Sequence, residues 1–171
     1  MKRHQTWIVV ALLTIGGVFV AAMLSPSARR TPTVEFTLIN GAKLAVNELQ
    51  GRPVLINFWA TSCKPCIEEI PELTQLYVEL RPRGLQIIGV AMPYDPPARV
   101  LEFSKRYGIP YPVALDIDGR TISAFGDVAA VPTTLLIAPD GRILLRRTGV
   151  LDVPKVRQTI LRLLDEGAHT I

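Results

Sequence analysis

Cys63 and Cys66 are the only cysteines among the 171 residues, and they stand three positions apart. They follow an apolar run, Val54-Leu55-Ile56-Asn57-Phe58-Trp59, and precede residues patterned as a helix. A cysteine at the amino end of a helix faces unpaired N–H groups and the positive end of the helix dipole, which favour the thiolate. Lys64 adds a cation beside it. Residues i and i+3 share a helical face, so the two sulfurs can close a small disulfide ring. Pro65 restricts the backbone inside that ring. The chemistry that fits is dithiol exchange. Cys63 attacks a partner disulfide, and Cys66 then attacks Cys63 and releases the reduced partner. Cys66 needs a base, and Glu69, one helical turn onward, is the nearest candidate. Buried, it would titrate high and shuttle a proton; solvated beside Glu68 and Glu72, it is an ordinary helix charge.

Other uses of the pair fit less well. Half of a zinc site needs a second pair of ligands, and the only histidines, His4 and His169, lie at the two ends. A structural disulfide across so short a loop stabilises little. No metal and no cofactor is expected.

The elements that must position the dithiol are readable from periodicity. Strand patterns cover 34–38, 54–59 and 85–91, and 135–137 with 143–145 flank a Pro139-Asp140-Gly141 turn. Helical patterns run from Cys63 to about Arg81, with Ile67, Ile70, Leu73, Leu76, Tyr77 and Leu80 on one face. Two more cover about 98–107, with Val100, Leu101 and Phe103, and 153–164, with Val156, Ile160, Leu163 and Leu164. The order predicts one α/β domain around a central mixed β-sheet flanked by helices, whose closing hairpin is antiparallel.

Residues 7–24 form an uncharged apolar run of 18 residues. As a helix this spans roughly 27 Å, near the hydrocarbon thickness of a bilayer. It reads as an N-terminal transmembrane anchor over 1–24, with a signal peptide as the other reading, followed by a polar tether over 25–32 and a domain over 33–171. Of 19 basic and 15 acidic residues, four basic ones (Lys2, Arg3, Arg29 and Arg30) flank the run, leaving 15 of each sign from Thr31 onward. A domain without net charge argues against a nucleic-acid binder.

Phe58-Trp59-Ala60 leading into Cys63-Lys64-Pro65-Cys66 resembles the thioredoxin superfamily. Asn57 stands where thioredoxins proper carry a buried acid, Glu68-Glu69-Ile70-Pro71 follows the second cysteine, and Val131-Pro132-Thr133-Thr134 stands at the family's cis-proline. Together these are similar to the membrane-anchored, exported TlpA-type disulfide reductases, including thioredoxin-like proteins of cytochrome c maturation. The resemblance implies a thioredoxin-like fold, an attacking Cys63, a resolving Cys66 and an assisting acid at Glu69. It implies substrate contact at Trp59, Val131 and Pro132, the Val131 backbone pairing with an extended substrate strand. Without it, Pro132 reads as a strand-edge proline. It also implies an insertion over about 93–118, periplasmic disulfide-containing partners such as apocytochromes c or copper-site proteins, and an inner-membrane thiol-electron transporter as reductant. One departure is Ser62, where the family usually has an aromatic residue.

Two further readings belong to other classes. A peroxiredoxin-type thiol peroxidase needs a threonine three before its cysteine, and Thr61 lies two before Cys63. A thioredoxin-like metal-site assembly factor needs a distal histidine near the dithiol.

Overall fold

The computed structural model describes residues 30–126 and 128–168. The apolar run over 7–24 and both histidines lie outside the described residues, and no helix among those described is long and apolar enough to cross a membrane.

Among the described residues, seven strands and four α-helices follow one another: β1 (Glu35–Leu38), β2 (Lys43–Ala45), β3 (Val54–Trp59), α1 (Lys64–Leu80), β4 (Gln86–Ala91), α2 (Pro97–Arg106), β5 (Val113–Leu115), α3 (Arg120–Ala124), β6 (Thr133–Ile137), β7 (Ile143–Thr148) and α4 (Val153–Ala168). They build one mixed sheet in the order β2-β1-β5-β4-β3-β6-β7. β3 pairs parallel with β4, and β4 with β5, the crossovers being α1 and α2. β6 runs antiparallel to β3, and β7 antiparallel to β6.

The sheet differs from the sequence reading at its other end. There β1 and β2 form a second antiparallel pair, and β1 also runs antiparallel to β5. β2 and β5 have three residues each. Strands that short carry almost no periodicity, and it is pairing with a longer neighbour that holds them in the sheet. α3, five residues long, also went unread. Residues 30–32, assigned to the tether, are fastened to the β6–β7 turn. Arg30 bridges Arg142, and the Thr31 amide donates to the Gly141 carbonyl at 2.9 Å.

β3 has every residue buried because both faces of the sheet are covered. Its alternate residues go opposite ways. Val54, Ile56 and Phe58 join Phe36, Val90, Phe125 and Leu135 on one side. Leu55 faces Leu73, Leu76 and Leu80 of α1 and Val156, Ile160 and Leu164 of α4 on the other. Ile70, Leu73, Leu76, Tyr77 and Leu80 are buried as the spacing predicts, whereas Ile67 is half-buried and Glu69 joins the buried face. In α2, Val100 is buried but Leu101 is exposed; Ser104, whose hydroxyl donates to the Val100 carbonyl, is the second buried residue.

Gly89 marks a close approach. A Cβ there would meet Trp59 Nε1 at 3.1 Å and Tyr111 Cε2 at 3.2 Å, both on buried rings. Gly89→Ala is expected to cost about 1–3 kcal/mol, as overpacking a filled core does. Urea unfolding measures this, and an unchanged midpoint would show that the rings give way freely.

Candidate functional site

The dithiol sits where β3 ends and α1 begins. Cys63 is the N-cap of α1, and its Sγ accepts the Cys66 amide N–H at 3.3 Å. The Ala60 carbonyl accepts the Cys63 N–H at 3.1 Å, closing the intervening turn. Pro65 lies in the first turn, where its missing N–H costs nothing because those donors have no intrahelical partner. The two sulfurs are bonded, with Cα atoms 5.3 Å apart. Cys63 is half-buried, while Cys66 is only 2% exposed. One sulfur therefore meets the surface and the other is enclosed.

Beneath Cys66 lie Trp59, Ala91, Val100 and Val113, with the Phe103 ring tilted against the indole at 5.4 Å between ring centroids. The resemblance implies substrate contact at Trp59; the structure buries its side chain, so its place is under the dithiol. Lys64 is exposed, and its ammonium lies 3.9 Å from the exposed Glu68 carboxylate. The cation is thus shared with an acid one turn onward, and exposed pairs of this kind contribute little.

Glu69 is 4% exposed, so the solvated-charge reading gives way to a buried acid. Its Oε1 accepts the Leu151 amide N–H at 3.0 Å, while Oε2 has no hydrogen-bond partner. Burial pushes its pKa up from 4.5, the Leu151 amide and the nearby Asn57 carboxamide pull it down, and Glu72 adds a smaller upward push. Asn57 itself donates to Thr134 Oγ1 at 3.0 Å. The buried acid thus comes from helix α1, beside an amide on the strand where thioredoxins proper place an acid. Tyr111 shares this interior, and burial, with the Glu69 charge, raises its phenol well above the usual range.

The Val131–Pro132 peptide is cis. Pro132 leads into β6, which lies between β3 and β7, so the strand-edge reading is replaced by an interior position. Val131 and Cys63 both pack against the cluster around Trp59 and Cys66. Phe125 and Gly126, ahead of Val131 in sequence, are held from β7, where the Arg146 guanidinium donates to both of their carbonyls. Ser62 is exposed beside the dithiol.

Asp95 was missed by the sequence reading. It is 6% exposed, and both its carboxylate oxygens grip Thr61, one at 2.5 Å from the amide N and one at 2.7 Å from the hydroxyl. Nothing in Pro93-Tyr94-Asp95-Pro96-Pro97 sets this acid apart from a turn residue. Thr61, weighed as a peroxidase threonine, has its hydroxyl committed to this contact.

The AhpC/TSA family model matches residues 28–146. Thiol-disulfide oxidoreductase ResA of Halalkalibacterium halodurans is 32% identical over 158 residues, covering 86% of this chain and 89% of that protein. Thiol-disulfide oxidoreductase ResA of Bacillus subtilis is 37% identical over 112 residues, 66% of this chain; the match spans 62% of that relative's length. Among solved structures, a thiol:disulfide interchange protein of the thioredoxin family from Chlorobium tepidum superposes with a TM-score of 0.72 at 27% identity, covering 81% of this chain and 99% of that one. With a thioredoxin-like sheet, a bonded Cys63–Cys66 pair at a helix mouth and relatives of this kind, the chain belongs to the AhpC/TSA family, among its thioredoxin-fold thiol–disulfide oxidoreductases.

Proposed function

We propose that this chain reduces disulfides of exported partner proteins by dithiol exchange, with Cys63 as attacking thiol and Cys66 as resolving thiol. The observation that carries the reading is the asymmetry of the pair: Cys63 half-buried at the N-cap of α1, Cys66 enclosed beneath it. The reduced Cys63 thiolate attacks a partner disulfide, forming a mixed disulfide and releasing one partner thiolate. Cys66, having lost its proton, attacks Cys63 Sγ. The second partner thiol leaves, and the Cys63–Cys66 bond forms. The partner gains two electrons and the enzyme loses two. Glu69 takes the Cys66 proton, and the Val131 backbone, next to Pro132, pairs with an extended substrate strand.

In this reading, residues 1–24 anchor the protein in the inner membrane, 25–32 lead out of it, and 33–171 work in the periplasm. A compartment kept oxidising requires a supply of electrons from across the membrane, so an inner-membrane thiol-electron transporter is the upstream partner. Apocytochromes c and copper-site proteins, whose cysteines must be held reduced, are the downstream class.

The reduction potential of the Cys63–Cys66 couple tests the direction of electron flow. Equilibration against a thiol buffer of known poise is expected to give a value nearer the thioredoxin range, about −270 mV, than that of a strong oxidant, about −120 mV. A value at the oxidant end would reverse the assignment.

A further inference from the structure

We propose that Asp95 is a positioning residue for the dithiol: by gripping Thr61 with both carboxylate oxygens, it fixes the turn from Ala60 to Cys63 and so holds the Cys63 sulfur at the mouth of α1. The inference rests on the reading of Cys63 as the attacking thiol.

The chain of contacts is short and continuous. β4 ends at Ala91, and the Met92 amide donates to the Trp59 carbonyl at 3.0 Å, tying the segment after β4 to the end of β3. The Asp95 amide donates back to the Met92 carbonyl at 2.9 Å, which turns its side chain toward the neighbouring loop. There Oδ2 accepts the Thr61 N–H and Oδ1 accepts the Thr61 hydroxyl. One residue before Thr61, the Ala60 carbonyl accepts the Cys63 N–H. The turn that presents Cys63 is therefore held from both sides, by its own hydrogen bond and by an acid 34 residues away.

A buried carboxylate is costly unless its oxygens are paired, and here both are spent on one residue two positions before the reactive sulfur. Hydrogen bonds to an ionised acceptor are short and directional, so the pair restricts Thr61 in both position and rotation. The restriction matters to Cys63 because thiolate stabilisation at a helix amino end falls off within the first turn. A sulfur that drifts from the Cys66 N–H loses that stabilisation.

Charge and position are separable by substitution. In Asp95→Asn, the carboxamide oxygen can accept the Thr61 N–H while its NH2 donates to the Thr61 hydroxyl, which then acts as acceptor. The grip survives and the charge goes. Asp95→Ala removes both. The readout is the pH dependence of Cys63 alkylation by iodoacetamide in the reduced full chain, with the modified cysteine located by mass spectrometry. Asp95→Ala is expected to slow Cys63 alkylation at pH 7 by about tenfold and to move its midpoint up by about one unit, through loss of thiolate stabilisation. Asp95→Asn is expected to stay within about twofold of wild type, because position is preserved.

An unshifted profile in Asp95→Ala overturns the proposal. So does an equal upward shift in Asp95→Asn, where the grip is kept; loss of the negative charge alone would move the midpoint down. If Asp95→Ala does not fold by circular dichroism, Thr61→Val carries the test. It removes the hydroxyl contact and keeps the amide contact, and a midpoint shift in the same direction is expected; an unchanged midpoint overturns the proposal. Failure of the underlying reading looks different: Cys63 would then not be the faster-alkylated thiol in the wild-type chain.

Discussion

Cys63→Ser is expected to reduce disulfide turnover to the uncatalysed background, and Cys66→Ser to trap the enzyme on its partner. The two outcomes differ because the two sulfurs do different work. Cys63 caps α1 and meets the surface, so it is the sulfur a folded partner can reach. A serine hydroxyl there takes the same cap position but exchanges with no disulfide. Cys66 is enclosed, so its only accessible target is Cys63 once the mixed disulfide has formed. With Cys66→Ser the first exchange proceeds and the second does not, leaving a covalent adduct visible on a non-reducing gel and dissolved by dithiothreitol. No other cysteine exists in the chain to take over. Reduction of a disulfide substrate, followed spectroscopically, measures the first variant; wild-type turnover in it would sink the mechanism. An adduct in Cys63→Ser rather than in Cys66→Ser would exchange the two roles.

Much of this site was legible because the strand-to-helix passage is strongly patterned. Six consecutive buried residues from Val54 to Trp59 can only be a strand covered on both faces, and the apolar spacing from Ile70 to Leu80 fits only a helix. Where these two meet, the position of the dithiol follows from local order alone. Pro132 was found through resemblance rather than pattern, since nothing in a single proline specifies the isomer of the bond before it. Substrate contact at Trp59 is what the resemblance implies; parity puts it on the sheet face of Leu55 and Asn57, and because both faces of β3 are covered its ring is buried. Asp95 stayed hidden for a different reason. Its partner is 34 residues away across a parallel strand pair, and the register of that pair is not readable from either segment. Glu69 lies between these cases. Helical spacing alone puts it on the face of Cys66 and Leu73, but only packing against Leu151 and Asn57 decides that the carboxylate is buried.

That burial makes Glu69→Gln the second large effect, and the change has two signatures that a packing defect does not share. The first is kinetic. If Glu69 takes the proton from Cys66, removing its basicity slows release of the partner from the mixed disulfide by roughly a hundredfold, the lower range for general-base catalysis. The first exchange at Cys63 is left intact, so the mixed disulfide accumulates; unaltered release would remove Glu69 from proton transfer. The second signature is thermodynamic. Burial raises the Glu69 pKa in the folded chain above the value of 4.5 that it has when solvated. The folded state therefore holds this proton more tightly than the unfolded state does. Its contribution to stability is complete below about 4.5 and falls as pH rises through the folded pKa. Glutamine resembles the protonated acid, and its carbonyl oxygen can still accept the Leu151 N–H. Glu69→Gln is thus expected to match wild type in urea unfolding at pH 4 and to exceed it at pH 8. A variant with slower release and greater stability at high pH identifies an acid kept in the interior for its chemistry at a cost to the fold, the balance expected where a buried group serves catalysis. Slower release with lower stability at both pH values would instead mark a structural residue, and Cys66 would need another base.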